Sequence, residues 1–171
     1  MKNLIIYYSR RGQNYVNGSI CNLDKGNAEL IAGYISEAVK TDVFEVVPVN
    51  EYPADYMQCT VQAQEELKIN ARPALKEYIT DISEYDNIFI CGPCWWGTYP
   101  MPIFSQLEKL DFSNKYVFPV MTHEGSGAGS CERDLKKICK NAKIAKCLAV
   151  QGAAVPRSKK QVTDWVRKCV S

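Results

Sequence analysis

The chain has 171 residues, the length of one ordinary domain, and is long enough to bury roughly 70% of the surface its unfolded form exposes. A formal net charge of +2 with 23% charged residues leaves no basic block of the kind that tracks a nucleic acid. The apolar run from Leu4 to Tyr8 is too short for a signal sequence or a membrane span. Nucleic acid and membrane are therefore not expected as partners, and the protein is expected to be cytoplasmic. Eight cysteines fall below the density of a disulfide scaffold and are expected as reduced thiols. With His123 as the only histidine and Cys91 and Cys94 as the only close cysteine pair, no metal site is expected.

Short apolar runs alternate with segments of helical periodicity. The first strand is Leu4 to Tyr8, and a helix follows near Ala28 to Lys40, where Leu30, Ile31, Tyr34, Ile35 and Ala38 share one face. Asp42 to Val47 reads as the second strand. Between Tyr52 and Ile79, a stretch containing Pro53 and Pro73, the pattern predicts a helix over Tyr56 to Leu67, a break, and a second short helix. Asn87 to Cys91 is the third strand, Tyr116 to Met121 the fourth and Cys147 to Val150 the fifth. Helices are predicted near Ile103 to Leu110, Cys131 to Lys140 and Val162 to Cys169. This alternation predicts an α/β doubly wound parallel sheet, strand order 2-1-3-4-5, with helices on both faces and one domain over residues 1–171. Ligands of such sheets bind at the carboxyl ends of the strands, where the order reverses.

Three loops stand at those ends. After the first strand, Ser9-Arg10-Arg11-Gly12 leads through a polar stretch to Lys25-Gly26-Asn27-Ala28-Glu29. A hydroxyl, a glycine and a helix N-terminus can offer amides and positive potential to a phosphate, with charge added by Arg10, Arg11 or Lys25. The alternative there is a helix cap at Asn27 behind a surface loop. After the third strand comes Cys91-Gly92-Pro93-Cys94-Trp95-Trp96-Gly97-Thr98-Tyr99-Pro100, in which two indoles beside glycine and proline suit a planar aromatic ligand. The alternative is a Trp-Trp plug over the core. After the fourth strand, Thr122-His123-Glu124-Gly125-Ser126-Gly127-Ala128-Gly129 frees several amides to face a ligand, before a helix that Ser130 is placed to cap.

In this order, the three loops resemble those of the flavodoxin-like family over nearly the whole chain. Pro93-x-Trp95-Trp96-Gly97 is similar to the flavin loop of a bacterial flavodoxin subgroup. The resemblance implies noncovalent FMN and a role in electron transfer. Ser9, Arg11, Gly26, Asn27 and Ala28 would hold the phosphate end. Pro93, Cys94, Trp95, Trp96 and Gly97 would lie at the ring, and Thr122, His123, Gly125, Ser126 and Gly127 at its pyrimidine side. Gly97 resembles the glycine whose peptide reorients beside the flavin N5. Against that pattern, residues from about Gly12 to Asp24 form an inserted loop, which could cover the flavin, contact a second subunit in a homodimer, or fold as a lid. A sequence pI near 8.1 also differs from the acidic surface of carrier flavodoxins. The partner is expected to be a redox protein or a small-molecule electron acceptor. An FMN-dependent NAD(P)H:quinone-type oxidoreductase is one alternative, and a non-enzymatic binding module for a different anionic ligand is another.

Cys91-Gly92-Pro93-Cys94 also matches the thioredoxin dithiol motif. That motif needs a helix to begin at the pair, which Gly97, Pro100 and Pro102 argue against; a thioredoxin-like dithiol and a dithiol beside the flavin stay as alternatives to reduced, inactive thiols.

Overall fold

The computed structural model describes residues 1–171. In chain order the elements are β1 (Asn3–Tyr7), β2 (Gly12–Val16), β3 (Ser19–Leu23), α1 (Asn27–Ala38), β4 (Asp42–Glu45), α2 (Tyr56–Lys68), β5 (Asn87–Pro93), α3 (Met101–Leu107), β6 (Tyr116–His123), α4 (Cys131–Ile138), β7 (Lys143–Ile144), β8 (Leu148–Gln151) and α5 (Lys159–Val170), with a 3₁₀ turn at Gly152–Arg157. The main sheet has the order β4-β1-β5-β6-β7, and β8 also pairs with β6. All its pairings are parallel. This is the expected 2-1-3-4-5 winding, with β4 as the second strand.

Alternation along the strands divides the core into two layers. Leu4, Ile6, Ile88 and Ile90 face α3 and α4, whereas Ile5, Tyr7, Phe89 and Cys91 face α1 and α5. Every residue of β1 is buried, as a strand covered on both faces requires.

Several expectations are corrected. The fifth position holds two short collinear strands, β7 pairing with Tyr116–Val117 and β8 with Val120–His123, with a break between them. No second helix forms between Ile69 and Ile79. Backbone bonds from Val49 N–H to Ala74 O (2.8 Å) and from Lys76 N–H to Val47 O (2.9 Å) hold that stretch extended. Gln106 adds side-chain bonds to both Ile79 N–H (2.9 Å) and Ile79 O (2.8 Å). The segment from Gly12 to Asp24, expected as a loop, is an antiparallel hairpin in register from Gly12↔Leu23 to Val16↔Ser19. Its two-residue turn is Asn17-Gly18, with φ of 52° and 87°. Both residues are left-handed, the geometry of a type I′ turn, whose twist matches that of the strands.

Candidate functional site

A crevice of about 530 Å³ opens at the carboxyl ends of β1, β5 and β6. Its lining includes Ser9, Arg10, Asn27 and Ala28 from the first loop, Pro93 to Trp96 from the second, and Thr122 to Ser126 from the third. Volume and composition lie in the range of cofactor sites.

At the first loop, Gly26 precedes α1 and has no substitute. A Cβ there would stand 2.0 Å from Ser9 Oγ and 2.6 Å from Arg10 O. This close approach lets Ser9 Oγ accept the Glu29 amide at 3.1 Å. The Leu30 amide closes the first helical turn on Gly26 O. The amides of Asn27 and Ala28, the first two of α1, have no protein acceptor, so the positive end of the helix faces the crevice with free donors. Asn27 itself follows the cap position, which Gly26 occupies without a side-chain bond. Arg10 is buried, with Nε donating to Gln13 O at 2.7 Å and Nη2 to the carbonyls of Pro53 and Ala54, each at 2.9 Å. No carboxylate pairs with it, and its charge is left to the crevice.

The second loop turns back on itself. Trp95 N–H donates to Thr98 O at 2.8 Å, and the residues between them, Trp96 and Gly97, have φ of 55° and 85°. This is again a type I′ turn, now with a bulky residue in its first left-handed position. Trp95 points to the core, edge-on to Tyr52 at 4.9 Å and to Tyr8 at 5.3 Å between ring centroids. Trp96 points outward, and its indole N–H donates to Thr60 O on α2 at 2.9 Å.

The third loop is tied to the second. Cys94 N–H donates to Thr122 O at 2.7 Å, Ser126 Oγ donates to Cys94 Sγ at 3.1 Å, and Ser130 N–H donates to Gly97 O at 2.7 Å. Ser130 stands at the cap position of α4 but makes no side-chain cap bond. Its hydroxyl is instead shared between Gly97 O and Asp134 Oδ2. His123 Nδ1 accepts the Gly125 amide at 3.0 Å, a bond within the loop.

Of the residues expected at the site, Ser9, Asn27, Ala28, Pro93, Cys94, Trp95, Trp96, Thr122, His123, Gly125 and Ser126 line the crevice. Arg11, Gly26, Gly97 and Gly127 do not. Arg11 is paired elsewhere, with Glu29 at 2.9 Å and Glu45 at 3.4 Å. Gly97 sits at the back of its turn, its carbonyl taken by Ser130. Cys91 and Cys94 belong to different layers. Cys91 is wholly buried with α1 and α5, where burial drives its thiol well above the ordinary range, and Cys94 faces the crevice.

The sequence reading missed Asn14 and Tyr15 of the hairpin, Tyr56, Met57, Cys59, Thr60 and Ala63 of α2, Glu124, and Gly152. The hairpin had a signal, Asn-Gly between alternating residues; the α2 residues had none, because only the tertiary fold brings α2 to the strand ends. Burial raises the Cys59 thiol, which keeps it neutral in the crevice wall. Glu124 Oε2 accepts the Asn17 amide at 2.9 Å and so ties the hairpin tip to the third loop.

Comparison with curated proteins returns no match. Among solved structures, a candidate flavoprotein from Bacteroides uniformis is 26% identical with a TM-score of 0.74, covering 97% of each chain. A flavoprotein from Lactobacillus acidophilus, solved in complex with FMN, is 20% identical with a TM-score of 0.64 over 93% of this chain and 98% of its own. Flavodoxin 2 from Bacillus cereus is 16% identical with a TM-score of 0.55, over 99% of this chain and 98% of its own. The flavodoxin family model matches residues 21–169, most of the chain, and with the doubly wound sheet and its crevice this establishes that the chain belongs to the flavodoxin family.

Proposed function

We propose that this chain binds FMN noncovalently in the crevice and acts in electron transfer, as a member of a flavodoxin subgroup marked by Pro93-x-Trp95-Trp96-Gly97. The observation that carries the reading is the coincidence, in one crevice, of free helix amides at one loop and indoles at another. Ser9, Asn27 and Ala28 would hold the phosphate, with unneutralised positive charge from Arg10. Pro93, Cys94, Trp95 and Trp96 would bound the ring on one side, with Thr122, His123, Gly125 and Ser126 supplying polar groups at its edge. When bound, FMN supplies the ability to take and give one or two electrons. The protein's part is to position that group and keep water from it. Trp95 is fixed by Tyr8 and Tyr52, and Gly97 is locked to α4 by Ser130, so the loop is preorganised rather than formed on binding.

The whole chain is taken as one domain in which the hairpin covers the crevice. Eight unpaired cysteines support a reducing, cytoplasmic setting, and no helix is long and apolar enough to cross a membrane. An FMN-dependent NAD(P)H:quinone oxidoreductase is the second reading, favoured by the net charge of +2 where carriers are acidic. Rapid mixing of the flavin-loaded protein with NADH or NADPH separates the two: direct bleaching supports the reductase, and none supports the carrier.

The phosphate assignment has its own test. FMN should bind about 100-fold more tightly than riboflavin, the effect of about 2.7 kcal/mol from charge-assisted bonds to a phosphate. Equal affinities would show that the α1 terminus is not the phosphate site.

A further inference from the structure

The wall of the crevice holds one carboxylate, that of Glu124, and it stands between two parts of the site that are far apart in sequence. Its Oε2 accepts the Asn17 amide at 2.9 Å. Its Oε1 lies over Gly152, where a Cβ would meet it at 2.3 Å and Asn27 Nδ2 at 2.8 Å, so the carboxylate and the Asn27 side chain crowd one spot at the start of α1. Glu124 therefore holds the hairpin tip with one oxygen and reaches the proposed phosphate end of the crevice with the other.

The hairpin is fastened unequally. At its base and flank, Arg10 Nε donates to Gln13 O at 2.7 Å, Gln13 Oε1 accepts the Tyr56 amide at 2.8 Å, and the Tyr15 ring stacks on Tyr56 at 6.0 Å. The tip, from Val16 to Ser19, has no hydrogen bond to the rest of the protein other than that between Asn17 and Glu124. An arm fixed at its base and tied by one bond at its tip opens at the tip first.

A carboxylate is an unfavourable neighbour for a phosphate. Both draw on the positive end of α1 and on the donors of Asn27, and like charges repel more strongly in a crevice than in open water. The field of Glu124 also crosses the crevice: burial raises the Tyr56 phenol on the α2 wall, and Glu124 raises it further while Arg10 opposes it. We infer that Glu124 is a charge-operated latch, which ties the hairpin tip to the third loop and releases it when the flavin phosphate arrives at the start of α1. The inference rests on the FMN reading above. The coupling is reciprocal: by the factor that phosphate weakens the bond between Asn17 and Glu124, the latch weakens phosphate binding. The hairpin thereby distinguishes flavins by their charge, opening at its tip for FMN and staying fastened over riboflavin.

The test follows amide hydrogen exchange of the hairpin by mass spectrometry in the full chain, loaded to equal occupancy with FMN or with riboflavin. Exchange in β2 and β3 should be at least about 10-fold faster with FMN than with riboflavin. That difference should vanish in Glu124→Gln, which keeps an acceptor for Asn17 but loses the charge. The same variant should raise the preference for FMN over riboflavin about 10-fold, read as the ratio of their dissociation constants. Equal exchange under the two flavins in the wild-type chain would overturn the latch, as would an unchanged ratio in Glu124→Gln, and either result leaves flavin binding standing. Failure to take up either flavin would overturn the proposed function, and the latch with it.

Discussion

Three glycines near the crevice differ in what a methyl group would meet. At Gly26 it would stand 2.6 Å from the backbone oxygen of Arg10 as well as 2.0 Å from Ser9 Oγ, and the chain itself must move. Gly26→Ala is expected to lower stability by about 1–3 kcal/mol, read from urea unfolding. At Gly152 the methyl would meet Glu124 Oε1 at 2.3 Å and Asn27 Nδ2 at 2.8 Å, the ends of side chains that can swing aside. Gly152→Ala should therefore leave stability within about 0.5 kcal/mol of wild type, yet weaken FMN by displacing Asn27; undiminished FMN affinity would remove Asn27 from the site. At Gly97 nothing lies within 4 Å, and the cost of Gly97→Ala is that of a left-handed alanine alone, about 1 kcal/mol. The glycines and indoles of the loops were legible as residues because each type has a local reason to be where it is. Arg10, Glu124 and Gly152 were harder to weigh, since their roles depend on partners remote in sequence: Pro53, Asn17 and Glu124 itself.

Among the elements, the hairpin is held by few and exposed contacts. Its tip depends on the Asn17 amide bonded to Glu124 Oε2 and its flank on the Tyr15–Tyr56 stack. Glu124→Ala is expected to speed amide hydrogen exchange in β2 and β3 by about 10-fold, corresponding to one hydrogen bond of about 1.4 kcal/mol to a charged acceptor, while exchange in β1 and β5 stays as it is. Unchanged protection in the hairpin would mean that its own turn suffices. The buried strands and amphipathic helices were legible because burial imposes period and length; α2 matched to within a residue at its end. The stretch after α2 misled because its backbone is held extended by bonds to Val47 and Val49 and, at Ile79, to the Gln106 side chain, partners remote in sequence. The hairpin misled for the opposite reason: its solvent-facing strands lack the apolar run that marks a buried strand, and only Asn17-Gly18 announced it.

For the molecule as a whole, the buried core sets the alkaline limit of stability. Burial, with Glu45 nearby, holds the Tyr7 phenol up at about 12 from an ordinary 10.0, and burial holds the Cys139 thiol at about 12 from 9.0. Both groups lose their protons in the unfolded chain first, so the folded state binds more protons over that interval and its stability falls with rising pH. The contribution is fully present below about pH 9 and is drawn down between about 9 and 12. Urea midpoints should decline steadily on the alkaline side of that range; a flat profile would show that these groups titrate alike folded and unfolded. The proposed function turns on whether the crevice holds flavin. Titration of the ligand-free protein with FMN, followed by flavin absorbance and by quenching between the flavin and the crevice tryptophans, should show one saturable site with micromolar or tighter affinity. No change in either signal through micromolar FMN would contradict it.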